Sequence, residues 1–190
     1  MAEFVRGKPG ERALMSLAVH RRLVVRRRRL AVAAFLGALP CALSALIYMP
    51  PLLVWNASAS TPRGLYRLFP GSQPQRGDMA IARLPSSLRA GAARRRYLPL
   101  GVPLVKRVAA ARGDRVCAQG DTILVNGRGA AVRKAWDGAG RPIPRWSGCR
   151  MLGDRDVLLL GESPWSFDGR YFGVTSRADI VGRAVLLWRA

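Results

Sequence analysis

An uncharged apolar stretch at residues 30–49 follows directly on Arg26, Arg27, Arg28 and Arg29. Its 20 residues are enough to cross the hydrocarbon of a bilayer as one helix. Beyond it the pattern changes to short apolar or alternating segments separated by turn residues, which is how strands read. Residues 64–69 and 78–83 predict two strands, divided by the turn Gly71-Ser72-Gln73-Pro74-Gln75. Residues 84–98 predict a short polar helix, with Ser86 or Ser87 as cap and Leu88, Ala92 and Ala93 on one side. Residues 104–110 are a further strand, closed by Gly113-Asp114. Residues 122–125 and 130–133 predict a hairpin about Asn126-Gly127, because that pair supplies the positive φ angles a two-residue turn requires. The Gly-, Pro- and Trp-rich segment 135–150 has no period and reads as an ordered loop, and 157–160 and 180–188 are the last strands. The expected fold is therefore mostly β, a compact folded β-barrel domain behind one N-terminal transmembrane helix.

Charge sharpens the topology. The chain holds 32 basic and 11 acidic residues, a net charge of +21, which raises nucleic acid or an anionic membrane surface as a partner. Nine of the basic residues precede residue 30, and arginines on one flank of an apolar span mark the cytoplasmic side. The expected layout is a basic cytoplasmic tail at 1–29, an anchor at 30–54 and an extracytoplasmic domain at 55–190, in a single-pass protein of the cytoplasmic (inner) membrane. The membrane is thus the expected partner, and nucleic acid is not expected. A competing reading takes Ala57-Ser58-Ala59 as a secretory cleavage site that frees a domain starting at Ser60. Against it, the apolar run exceeds an ordinary signal-peptide core, and Pro50 and Pro51 intervene.

Cys41 falls inside the apolar span, where a small buried thiol is unremarked. Cys117 and Cys149 fall in the part assigned outside the cytoplasm and are candidates for one disulfide. Two cysteines with no histidine nearby make a poor ligand set, so no metal and no other cofactor is expected.

The absence of histidine directs the chemistry. His20, the one histidine in the chain, precedes the arginine run, so no Ser-His or Cys-His pair can form in the C-terminal domain. Arginine does not deprotonate in proteins, which leaves lysine as the cationic side chain able to act as a base. Past the apolar stretch the chain has two, Lys106 and Lys134. Lys106 interrupts the apolar strand Val102-Pro103-Leu104-Val105-Lys106-Arg107-Val108. Burial there would lower its pKa; reaching about 8 from about 10.4 costs roughly 3 kcal/mol, which desolvation can supply. The alternative is a lysine facing solvent from an edge strand, and Lys134 beside Arg133 reads as that ordinary solvated residue. A nucleophile is available in Ser60, although Ser58-Ala59-Ser60-Thr61-Pro62 taken alone reads as a linker.

Several segments together resemble the ordered motifs of bacterial type I signal peptidases. They are Ser58-x-Ser60-x-Pro62 with Gly64-Leu65-Tyr66, Arg76-Gly77-Asp78, Lys106-Arg107-Val108 leading to Gly113-Asp114-x-Val116, and Ser166-Phe167-Asp168-Gly169-Arg170-Tyr171-Phe172-Gly173. The Pro-x-Gly-Leu-Tyr segment, the paired cysteines and the single anchor are most similar to the conjugative-transfer branch, the TraF-type pilin-processing peptidases. The resemblance spans about residues 56–188. It implies a signal-peptidase-like fold and a serine endopeptidase with Ser60 as nucleophile and Lys106 as general base. Ser166 would orient the lysine, the Ser60 N–H and the Ser58 hydroxyl would form the oxyanion hole, and Asp168 and Arg170 would be a structural pair. It also implies an exported, pilin-like precursor as substrate and conjugation or type IV secretion components as partners. Thr61 replaces the usual Met of general signal peptidases, Gly169 a frequent serine, and Gly161-Glu162-Ser163 the usual Gly-Asp-Asn. Leu65, Tyr66, Leu68 and Phe69 could form an apolar rim dipping into the bilayer interface or belong to the core. Two other functions remain open at this level: a general signal peptidase acting on many secreted proteins, and a non-enzymatic membrane-tethered basic module that binds DNA or anionic lipid.

Overall fold

The computed structural model describes residues 9–46 and 51–190; the start of the basic tail (1–8), the end of the apolar stretch (47–50) and the side chains of His20 and Cys41 lie outside what is described. The chain divides into two compact units, Met1–Met49 and Pro50–Ala190. In the first, helix α1 spans Pro9–Leu46 and carries both the arginine run and most of the apolar stretch. Among the described residues no helix is long and apolar enough to cross a membrane.

The second unit is mostly β. In chain order it contains β1 (Leu53–Asn56), β2 (Gly64–Pro70), β3 (Met79–Ala82), α2 (Ser86–Arg94), β4 (Leu104–Ala110), β5 (Arg115–Gln119), β6 (Thr122–Val125) and β7 (Arg128–Val132). There follow β8 (Gly148–Met151), β9 (Asp156–Leu160), α3 (Gly169–Phe172), β10 (Thr175–Ser176) and β11 (Ile180–Arg189). Seven strands form one sheet in the order β1-β2-β11-β3-β4-β9-β10, and four form a second in the order β7-β6-β5-β8. The large sheet is open at β1 and β10, so the expected barrel is a curled half-barrel.

Both faces of the large sheet are covered. Tyr66, Leu68, Ile81, Val105 and Ala184 pack on one side, and Ala80, Ala82, Val108, Val157 and Leu159 on the other. A third cluster, including Val116 and Ile123 from the small sheet and Leu158 and Leu160 from β9, joins the two sheets. Tyr66 and Leu68 are therefore core residues and take no part in an apolar rim, while Leu65 and Phe69 are half-buried. β4 is buried along nearly its whole length because β3 and β9 flank it on either side, with Ala80 opposite Lys106.

Two sequence expectations need correction here. Leu53 and Val54, assigned to the anchor by hydropathy, begin β1 and pair with Arg67 and Tyr66 of β2. The N-cap of α2 is Pro85, with no side-chain cap bond, so neither Ser86 nor Ser87 caps the helix. The Asn-Gly hairpin is present, with φ of 52° at Asn126 and 78° at Gly127. Segment 135–150 is irregular as expected up to β8, which pairs with β5. In that pairing Cys117 and Cys149 are direct cross-strand partners and are joined as a disulfide, with Cα atoms 4.0 Å apart. Closing the intervening 32-residue separation is worth about 3–4 kcal/mol on the chain-entropy account.

Candidate active site

The residues singled out by sequence meet at the junction of the β1–β2 loop, β4 and the segment after β9. Lys106 is 3% exposed and sits mid-strand in β4. Its Nζ lies 2.5 Å from Ser60 Oγ and 2.9 Å from Ser166 Oγ. Burial pushes the Lys106 pKa down from 10.5 to about 8; the Asp168 carboxylate opposes that shift, and the Arg170 guanidinium adds to it. The amine is therefore partly neutral at mildly alkaline pH, which is what accepting a proton from a serine demands.

Ser58 and Ser60 are coupled directly. The Ser58 hydroxyl donates to Ser60 Oγ at 2.8 Å, and the Ser60 N–H donates to Ser58 Oγ at 3.2 Å. The two expected oxyanion donors are thus each other's partners in the free site. The Ser60 carbonyl is gripped from the far side, accepting from the Glu162 N–H at 2.7 Å. Gly161 packs beneath this contact: a Cβ there would lie 2.7 Å from the Ser60 carbonyl oxygen and collide with Ser166 Oγ.

Asp168 and Arg170 hold that floor in place. Both are buried, at 0% and 3% exposure, and pair through Arg170 Nε to Asp168 Oδ1 at 2.9 Å and Nη2 to Oδ2 at 3.1 Å. Each also takes one end of the Gly161 residue: its N–H donates to Asp168 at 2.7 Å, and its carbonyl accepts from Arg170 at 2.8 Å. A buried pair with this many satisfied bonds is a rigid support, since removing either member strands a charge.

Two residues important to this geometry had no assigned role in the sequence. Asn56, 6% exposed at the end of β1, donates from Nδ2 to Thr61 Oγ1 at 3.0 Å and to the carbonyls of Ser58 and Pro62 at 3.1 and 3.0 Å. Its Oδ1 accepts from the Ser58 N–H at 3.2 Å. Thr61 in turn donates to the Val105 carbonyl, tying the serine loop to the strand that carries Lys106. The signal was present in an Asn preceding a Ser/Thr/Pro run, which forms local side-chain-to-backbone bonds readily. A cut after Ala59 would separate β1, Asn56 and Ser58 from the rest of the site.

Ser58, Ser60, Lys106 and Ser166 line a cleft of about 340 Å³ whose other walls, apart from Asn56, are apolar or aromatic, including Val54, Leu104, Tyr97 and Phe167. Lys134 is not among the residues that line it. Contrary to expectation it is half-buried, with Nζ 3.4 Å from the centroid of the Trp165 ring. Among the described residues no group of His, Cys, Asp and Glu could hold a metal ion.

The family model described as "Signal peptidase, peptidase S26" matches residues 26–189, most of the chain. The protein belongs to that family. Among curated relatives, two Plasmid transfer protein TraF chains of Escherichia coli are 40% and 37% identical over 147 residues, covering 74% of this chain and 79% of each relative. The Probable conjugal transfer protein TraF of Sinorhizobium fredii is 34% identical over 68% of this S26 peptidase and 73% of its own length. A crystal structure of a signal peptidase I from Enterococcus faecalis V583 aligns at a TM-score of 0.34 and 21% identity, over 59% of this chain and 97% of that one. That alignment is too loose to decide anything about the site.

Proposed function

We propose that this S26 peptidase is a membrane-bound serine endopeptidase in which Ser60 is the nucleophile and Lys106 the general base, acting on an exported, pilin-like precursor of a conjugative apparatus. The observation that carries the reading is the 2.5 Å approach of Lys106 Nζ to Ser60 Oγ in a site where burial lowers the amine's pKa to about 8. With the amine neutral, Nζ takes the Ser60 proton as Oγ attacks the scissile carbonyl, giving a tetrahedral intermediate. The same nitrogen then returns the proton to the leaving amine, and water repeats the cycle on the acyl-enzyme. Ser166 fixes the lysine's direction from the opposite side to Ser60. The substrate oxygen displaces the Ser58–Ser60 contact, and the Ser60 N–H and Ser58 hydroxyl turn onto the developing oxyanion.

The client and the compartment rest on the relatives and on α1. The curated relatives are named for plasmid and conjugal transfer, which favours a conjugation precursor over a general secretory role. Apolar residues of α1 after the arginines, such as Leu30, Phe35 and Leu36, are exposed, as expected of an element that finds its apolar partner in lipid. On this reading residues 1–29 are cytoplasmic, the apolar stretch is the anchor and the β unit is periplasmic, the compartment in which the Cys117–Cys149 bond persists. In the β unit, Trp55 and Trp188, 5.7 Å apart and each more than half exposed, take the interfacial role that Tyr66 and Leu68 cannot.

The test is co-expression of the full chain with candidate pilin precursors, read by mass spectrometry. Wild type yields a shortened precursor, while Ser60→Ala and Lys106→Ala, still folded and membrane-associated, yield none. Processing that survives either substitution would refute the proposal, and a DNA- or lipid-binding module would instead show salt-sensitive binding indifferent to both.

A further inference from the structure

Ser166 has to aim its hydroxyl at Lys106 from a stretch of chain with little regular structure. Between β9 and β10 the one regular element is α3, and a helix of four residues does not hold its own shape. The Ser166 hydroxyl meets Lys106 Nζ at 2.9 Å, and the Ser166 N–H donates to the Ser163 carbonyl at 3.1 Å. The Asp168–Arg170 pair secures this stretch to Gly161. A second support comes from segment 132–146, which leaves one edge of the small sheet at β7 and leads back to the other edge at β8.

That segment is first fastened to itself. Arg133, 5% exposed, donates from Nη1 to the Trp146 carbonyl at 2.7 Å, which cinches the two ends together. Its Nε and Nη2 donate to the Gly120 carbonyl at 3.1 and 2.7 Å and tie both ends to the β5–β6 turn. Between them the chain turns about the Asp137 carboxylate, which accepts from the Ala139 and Arg141 N–H groups, each at 2.9 Å. The segment then grips the residues just past Ser166. Trp146 Nε1 donates to the Gly169 carbonyl at 3.0 Å, and its ring packs over Gly173. The Lys134 N–H donates to the Tyr171 hydroxyl at 3.1 Å, and Arg170 Nη1 donates to the Val132 carbonyl at 3.4 Å. A clasp reaches Phe167 through an intermediary: the Tyr97 hydroxyl donates to Asp137 Oδ2 at 2.6 Å, and the Tyr97 ring lies 4.7 Å from that of Phe167. Ser60 and Lys106 are bonded to one another and to Ser58 and Ser166, not to this segment.

We propose that residues 132–146 form a strap that positions Ser166, and through it the Lys106 amine, with Trp146 and Tyr171 as positioning residues. The inference rests on the proteolytic reading above. The strap ends on the chain around Ser166, whereas the Ser60 loop is held by Asn56 and Thr61 and Lys106 by the strands flanking β4. A slack strap therefore displaces the Ser166 hydroxyl and leaves the serine and the lysine backbone in place. The lysine loses its direction, and water returns to an amine whose burial holds its pKa down. Both penalties fall on proton transfer. Lys134 contributes its backbone N–H, so its side chain can change without slackening the strap.

The experiment is cleavage, by the detergent-solubilised full chain, of the precursor that wild type shortens, followed from pH 6 to 10 for Trp146→Phe, Tyr171→Phe and the two combined. Each substitution keeps an aromatic ring and removes one polar bond of the strap. The combined variant is expected to lose about tenfold in kcat with KM within about twofold, less than a full 1 Å misplacement can cost. The midpoint of its kcat profile should rise above the wild-type midpoint near 8. In a Ser166→Ala background, followed in single turnover, the same pair should change the rate by less than about twofold, because the group it positions is gone. Should the combined variant fail to fold, Tyr171→Phe alone carries the same readouts. A folded variant with the kcat or the midpoint of wild type, or a loss as large without the Ser166 hydroxyl as with it, overturns the inference. The proteolytic reading fails separately, by absent cleavage in wild type or undiminished cleavage in Ser60→Ala.

Discussion

Lys106 and Lys134 are the two lysines of the β unit, and their places in the fold differ: one lies mid-strand in β4 and the other in the irregular segment after β7. Lys106 occupies a central strand with neighbours on both sides, is 3% exposed, and meets two serine hydroxyls. Lys134 follows β7, the edge strand of the small sheet, and lays its ammonium over the exposed Trp165 ring. The amines are identical, so the difference is one of degree of burial: the central strand takes Lys106 almost wholly out of water, while Lys134 stays half-exposed. A cation between hydroxyls in a dry strand is under pressure to lose its charge.

The contrast breaks most sharply at Lys106. Lys106→Met is expected to lower the rate of peptide cleavage by about 10²–10⁴, the usual contribution of a general base, while raising stability. The sign follows from linkage. The folded pKa, about 8, lies below the unfolded 10.5, so the unfolded chain binds the extra proton between those values. The penalty is full below pH 8 and fades as pH rises toward 10.5. Removing the amine should therefore gain about 1–3 kcal/mol at pH 6, less whatever its serine contacts contribute, and little at pH 10.5, as measured by denaturant unfolding. Next in size, Asp168→Ala strands the buried Arg170 and should cost about 3–5 kcal/mol, with activity lost through the Gly161 floor beneath Ser60. On the proposed mechanism the Ser58 hydroxyl acts on the transition state, so Ser58→Ala should lower kcat by about 10²–10³ with KM little changed. Smallest of all, Lys134→Met should leave kcat within about threefold and stability within about 1 kcal/mol, the worth of an exposed cation–π contact.

Lys106 could be singled out in the chain because lysine is scarce there, whereas Ser58, Ser60, Ser166, Asp168 and Arg170 were picked out by the resemblance to signal peptidases. With histidine confined to the N-terminal side and two lysines beyond it, an apolar strand around Lys106 could be recognised before any coordinates. The Asn126-Gly127 hairpin was equally legible, since its turn has few conformational options. What stayed hidden was set by context. β1 continues an apolar run, and hydropathy cannot tell where a helix ends and a buried strand begins. β8 is exposed at all four positions, so it carries no alternation to detect. Tyr66 and Leu68 read equally well as rim or core until β11 was known to pair with β2. Asn56 looked like the start of a linker because its bonds close onto residues two to six positions ahead. The Asp137 clasp needed a partner 40 residues away, which no local pattern encodes.

The central claim is that Lys106 is an uncharged base at working pH, and the chain's small number of lysines makes it directly measurable. Lysine labelled with ¹³C at Cε in the full-length protein, assigned by a Lys106→Arg variant, should show one resonance titrating near pH 8 in the folded state. The rate of peptide cleavage should rise along the same curve. A Lys106 resonance that stays protonated to pH 10 while cleavage proceeds at pH 8 would contradict the account.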